Sequence, residues 1–341
     1  MSAAPLLVPR GNLPEDAGER FRFLSAAFER LVADATPHDG GWRLELRRPG
    51  AAASYVDPRL EEGLRWFSPQ LLVSDIHLGL RLEEGFQISL DDGWTLFSWC
   101  NWLQGEEGRP RTPSVLHLDS HADLMSPRIS REEGREERGW RDLITGEAVD
   151  LGDPLTVVNA LRSGAIGIGS FMVPFIHQMP GLRLFHLCPR VRLQRAPGAY
   201  ALEPSLGDGD PIFAGARRPR VELRPLDEAH GQGVYVLGAD AADLISQIPT
   251  GPVLLHIDLD YFNDRFDGCP DWAARPERHD PPRGEILAAI DAFFDTLAAS
   301  PAAAAVEDVT VAFSPGFFPA EFWEPAVDRV RHGVARLGGG R

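Results

Sequence analysis

Cysteine is nearly absent: Cys100, Cys188 and Cys269 are the only three in 341 residues. An odd number without close spacing argues against a disulfide framework and a cysteine-based zinc site. Long apolar runs are missing too, and none approaches the roughly 20 residues that span a bilayer. The first twenty residues, MSAAPLLVPRGNLPEDAGER, lack the basic stretch and following apolar run of a secretory signal. Positive charge is scarce: Lys and Arg total 34 against 50 Asp and Glu, a formal net charge of -16. Such a surface repels nucleic acid and anionic membrane and would attract a cationic partner, although solubility alone also explains it. The expectation is a soluble, cytoplasmic protein with neither nucleic acid nor membrane among its partners.

Apolar residues make up 43% of the chain, enough for a large core. Residues 1–14 are Pro-rich and read as loose. Apolar positions at helical spacing predict helices over 19–34, 58–67, 93–103, 154–162, 240–246, 284–299 and 320–337. Strands are predicted at 42–46, 70–74, 114–118, 182–187, 233–237, 252–257 and 309–313. Residues 194–220, rich in Gly, Pro and Arg, read as loop. Gly164, Gly167 and Gly169 are in the wrong order for a dinucleotide fingerprint and read as a tight turn. Strands alternating with helices predict an α/β fold of three α/β/α layers around a mainly parallel sheet. One domain is expected, with residues 1–69 an N-terminal extension packed on it.

Residues 114–125 read Ser-Val-Leu-His-Leu-Asp-Ser-His-Ala-Asp-Leu-Met. Asp119, His121 and Asp123 are a metal-binding set, and oxygen with nitrogen but no sulfur favours Mn²⁺, Zn²⁺ or Fe²⁺. On a straight strand Asp119 and Asp123 would stand roughly 13 Å apart, at about 3.3 Å per residue. Metals in a paired site are only about 3.5–4 Å apart. The strand must therefore end near Asp119 and the chain curl back, which puts the site at a carboxyl strand end, where open α/β sheets bind ligands. Residues 254–264 repeat the pattern, with Asp258 and Asp260 closing a second strand. Two carboxylates so close are expensive to bury without cations. His77, in Asp75-Ile76-His77, is a further candidate ligand. His117 and His256 each precede a strand-end aspartate by two residues and face the same side, supporting the site without ligating. His177, His186, His230 and His279 stand in no motif. The mixed-charge stretch 128–142 is either a solvated loop or a flap over the site.

Asp-Ser-His-Ala-Asp at 119–123 resembles the D-A-H-x-D motif of the arginase-like ureohydrolases, and 255–262 resembles their S-x-D-x-D-x-x-D strand. The likeness is nearest to the peptide arginases, which convert arginine to ornithine in ribosomally made peptides, and covers roughly 70–125 and 250–320. It implies two Mn²⁺ ions bridged by Asp119 and Asp258. His77 and Asp123 would complete one coordination shell, His121 and Asp260 the other, and Asp123 would carry the proton to the leaving amine. An arginine-containing precursor peptide would be the partner. The last strand lacks the family's guanidinium-gripping glutamate, so Asp264, Asp267 and Glu321 become the candidates for substrate binding. Residues 124–176 contain no histidine for proton shuttling. Free arginine or agmatine is an alternative substrate. A metallophosphoesterase is a rival, because 74–79 resembles the S-D-x-H-x-G opening of that superfamily and 238–243 poorly copies its G-D-x-x-D. A non-catalytic, metal-stiffened peptide-binding module is another. Nothing in the sequence sets the oligomeric state.

Overall fold

The computed structural model describes residues 5–28, 31–105, 111–131, 139–207, 210–226, 233–275 and 278–338. It opens on β1 (Leu6–Pro9), α1 (Ala17–Phe28), β2 (Val32–His38) and β3 (Gly41–Arg47). These strands form a small antiparallel sheet, β1-β3-β2. So 1–14 is not loose throughout: Val8 of β1 is buried, opposite Trp42. After α2 (Leu60–Phe67) come the edge hairpin β4 (Leu80–Glu83) and β5 (Phe86–Ser89), then α3 (Trp94–Gly105) and β6 (Ser114–Leu118). The strand predicted at 70–74 is absent. Its three apolar residues lead into a 3-10 turn, Val73–Leu78, with Leu72 exposed. So short a run has no period to separate strand from turn.

The flanks of the predicted flap form a three-stranded sheet of β7 (Ile129–Ser130), β8 (Trp140–Asp142) and β9 (Ala148–Val149). Residues 132–138, the centre of that segment, lie outside the described residues, as does His230. Then follow α4 (Pro154–Ser163), α5 (Met172–Gln178), β10 (Arg183–Leu187), β11 (Gly198–Gly207), β12 (Arg218–Pro225) and β13 (Gly233–Gly238). About half of the loop expected at 194–220 is thus strand, in β11 and the start of its antiparallel partner β12. Pro219 and the arginines of β12 mislead because an edge strand tolerates residues that an inner one excludes, and Pro204 lies past the stretch of β11 that pairs with β13. The chain closes with α6 (Ala241–Ser246), β14 (Val253–Asp258), α7 (Arg283–Ala298), β15 (Val306–Ala312) and α8 (Trp323–Gly338).

The main sheet has nine strands, ordered β12-β11-β13-β10-β6-β14-β15-β5-β4. From β13 to β5 every neighbouring pair is parallel. At the two margins the pairing is antiparallel, β11 with both β13 and β12, and β4 with β5. Side-chain alternation sorts the core into two apolar clusters, one on each face. Leu116, Leu255 and Val311 pack with residues of α2, α7 and α8. Val115, Leu184 and Leu254 pack with residues of α3, α4 and α5. The second cluster also takes in Leu24, Phe28, Trp42 and Leu44, so the small sheet and α1 share the main core. Arg48 Nη2 donates to the Leu161 carbonyl at 2.8 Å, and Arg128 Nε to that of Ala27 at 2.6 Å, across the same contact. Among the described residues no helix is long and apolar enough to cross a membrane.

Candidate metal centre

Three parallel strands, β5, β6 and β14, deliver aspartates to one end of the sheet. β6 stops at Leu118, and Asp123 adopts a φ of 51°, so the chain curls as the spacing demanded. The curl is held by backbone donors: His121 N reaches Asp119 Oδ1 at 2.6 Å, and Ser120 N reaches Asp260 Oδ1 at 3.0 Å. Asp258 closes β14 and accepts from the Asp260 amide at 3.0 Å. Asp119, His121 and Asp260 each offer a ligand atom, all within 4.8 Å of one another. Asp92, Asp119 and Asp258 do the same, so Asp119 belongs to both of these acidic groups; His117 and His256 also come within that distance of Asp119, and Asp264 and Asp267 of His121. Asp123 is buried beside them, with Oδ2 4.0 Å from His117 Nε2.

His77 is not brought into either group. It lies in the 3-10 turn with its carbonyl on Trp94 Nε1, and burial, with Arg48 nearby, pushes its imidazole down to about 3. Asp92, which sequence reasoning missed, joins Asp119 and Asp258 instead. The signal was the one already used at Asp119 and Asp258, an acid just past a short apolar strand. It went unread because β5 was not recognised. Asp240, from the poor G-D-x-x-D copy, caps α6 by accepting from the Asp243 amide. Neither of these residues assembles a phosphoesterase set.

Crowding makes the carboxylates unstable as free anions. Burial, followed by the neighbouring carboxylates, holds Asp119 and Asp258 well above the ordinary range. Burial and Asp92 do the same to Asp123, and burial lifts Asp92 to about 7. Burial works against Asp260 too, but His121 outweighs it and keeps Asp260 low. Ser314 Oγ lies 2.6 Å from both Asp92 Oδ1 and Asp258 Oδ2. A hydroxyl has one proton to give, so one of those acids must itself carry a proton when no cation is bound. Asp119 Oδ2 and Asp123 Oδ2 are buried with no hydrogen-bond donor. Orphaned anionic oxygens cost several kcal/mol unless compensated. Divalent cations fit this donor set, which is hard oxygen with one imidazole.

Beneath the acids runs a row of imidazoles. His186, His117 and His256 are in register on β10, β6 and β14. His117 Nε2 donates to the His121 carbonyl at 3.1 Å and His186 Nε2 to the Asp119 carbonyl at 3.0 Å, so two rings support the curled loop. With Nε2 the donor, His117 Nδ1 must accept from His256 Nδ1, 2.8 Å away. Burial keeps all three neutral, His186 near 4 and His256 near 3. His186 therefore belongs to the site's support despite having no motif, whereas His177 and His279 bond to backbone carbonyls elsewhere.

The acids form the floor of a cavity of about 700 Å³. Asp264, Asp267 and Glu321 do not line it. Each already holds a guanidinium of this chain. Arg192 sits 2.5 Å from Asp264 and 3.4 Å from Asp267, Arg275 sits 2.6 Å from Asp267, and Glu321 is shared by Arg59 and Arg265. The carboxylates exposed to the cavity are Asp92, Asp123, Asp258 and Asp260, together with His121. Three residues of its lining, Val56, Asp123 and Ser314, have positive φ without being glycine. Such strain costs about 1–3 kcal/mol each and persists where the surroundings enforce it. In sequence comparison the chain matches no protein-family profile and no curated protein.

Proposed function

We propose that the chain is an arginase-like, dimanganese hydrolase that converts arginine within a precursor peptide to ornithine and urea, in the cytoplasm. The observation that carries the reading is the pair of buried acidic groups sharing Asp119 at the floor of a cavity. The motif resemblance at 119–123 and 255–262 supplies the reaction type. Asp92, Asp119, Asp123 and Asp258 would hold one ion; Asp119, His121, Asp258 and Asp260 would hold the other. Bound there, the ions would lower the pKa of shared water and make it a nucleophile at neutral pH. The protein's own part is positional and protonic. The acidic floor draws a cationic side chain to the strand ends. Asp123 lines the cavity with Oδ2 free of donors, so it can accept a proton and pass it to the departing amine. Atoms and charge balance as guanidinium and water giving the protonated amine and urea. Three free cysteines suit a reducing compartment.

The test is mass spectrometry of arginine-containing peptides incubated with manganese-loaded protein, with free arginine and agmatine in parallel. Loss of CH₂N₂ from a peptide with matching urea is the expected result. Urea from free arginine alone rejects the peptide substrate, and no urea from any of them, with metal confirmed bound, rejects the reaction.

A further inference from the structure

The cavity is larger than the reacting group requires. At about 700 Å³ it falls within the range of pockets that enclose a drug-sized molecule, roughly 300–1,000 Å³, and the acids occupy only its floor. The rest of its lining is mostly apolar and includes residues from outside the parallel sheet, Phe21 of α1, Leu31, and Val32 at the start of β2, together with Met125 and Phe317. Phe21, Leu24 and Phe28 follow the spacing of one helical stripe. Leu24 and Phe28 are buried, seating α1 on the core, while Phe21 prolongs the stripe over the cavity and is 65% exposed. Met125, also in the lining, is 49% exposed. Its amide is fixed to the Gly169 carbonyl at 2.9 Å, and its sulfur lies only 2.8 Å from where a Cβ on Gly169 would stand. Single exposed apolar side chains are ordinary. Two that border one cavity, above a floor of opposite character, describe a ligand that is apolar at one end and cationic at the other.

We propose that the N-terminal segment gives the site its sequence preference, seating a bulky aliphatic or aromatic residue adjacent to the reacting arginine against Phe21, Leu31 and Met125. This rests on the ureohydrolase reading for the identity of the cation. The occupant is a peptide, because a peptide carries a cationic and an apolar side chain on neighbouring residues, matching the acidic floor and the apolar wall.

The experiment compares manganese-loaded protein on peptides identical except for Leu or Ser on both sides of one arginine. Burying one aliphatic side chain corresponds to a preference of roughly tenfold or more in kcat/KM, carried by KM. Phe21→Ser should bring the Leu/Ser ratio close to one, and Phe21→Leu should restore most of it. Leu82→Ser, at a residue also exposed but on the outermost strand β4, should leave the ratio unchanged. Calorimetry with the matching Leu- and Ser-flanked lysine peptides, which contain no guanidinium to hydrolyse, gives a readout independent of turnover. Tighter binding of the Leu-flanked lysine peptide that Phe21→Ser abolishes supports the inference even if no urea is ever released, in which case only the reaction is wrong. Equal binding of the two lysine peptides, equal kcat/KM on the two arginine peptides, or a loss in Phe21→Ser that is the same for both overturns it.

Discussion

The cavity's floor and its upper wall are built on different principles. The floor comes from the ends of neighbouring parallel strands, β5, β6 and β14 with β15 between, whose register is regular toward those ends. Its residues are polar, buried and held by backbone donors. The wall is gathered from α1, β2 and loops far apart in the chain, and its residues are apolar and partly exposed. A floor of this kind specifies chemistry, because crowded carboxylates demand cations. A wall of this kind specifies the substrate, and can change without disturbing the floor.

Breaking the floor should have the largest effect. Asp119→Ala, removing the residue common to both acidic groups, should lose both ions by metal analysis and reduce urea release to background. Retention of full metal content would overturn the site. Asp92→Ala should lose one ion, whereas His77→Asn should keep both. The reverse result would restore His77 as a ligand and remove Asp92. Ser314→Ala takes away a hydroxyl that bonds two floor acids, and such supporting partners are typically worth 10- to about 100-fold in metal affinity. Competition with a fluorescent chelator measures it.

The floor should also show itself through pH. Carboxylates in the unfolded chain titrate near about 4. Asp92 is lifted to about 7 in the metal-free fold, and Asp119, Asp123 and Asp258 are raised as well. The metal-free fold therefore holds protons that the unfolded chain releases, and these groups make it less stable as pH rises through that window. The neutral histidine row acts in the opposite sense below about 6.5, where the unfolded chain gains protons. Subtracting the chelated melting temperature from the manganese-loaded one cancels the row. The difference should grow from pH 5 to pH 8, because metal displaces protons from its ligands. A difference that shrinks with pH contradicts the acidic floor.

The wall offers the smallest effect, on stability rather than chemistry. Gly316 has a φ of 91°, and a Cβ there would stand 2.6 Å from the Tyr55 carbonyl oxygen, beside two other cavity residues, Ser314 and Phe317. Gly316→Ala should cost about 1–3 kcal/mol by strain at that backbone position, read by urea unfolding. It should leave the ions in place.

The sequence by itself determined the strand at 114–118 to the residue, the curl after Asp119, and the acids at 119, 123, 258 and 260 that now line one cluster. Those features are local: a short apolar run has a definite end, and donors two residues apart cannot share a cation on a straight strand. It also carried the alternation of strand and helix that makes a parallel sheet. Only the tertiary structure decided the rest. That Asp92, and not His77, comes beside Asp119 and Asp258 depends on which strand lies next to β15, and His186 joins the support because β10 pairs with β6 in register. Asp264, Asp267 and Glu321 are taken by arginines as many as 262 residues away along the chain. Phe21 reaches the cavity because α1 is seated on the same core as α3. Each is a contact between segments whose separation in sequence carries no local signature, so packing had to bring them together before their roles could be read.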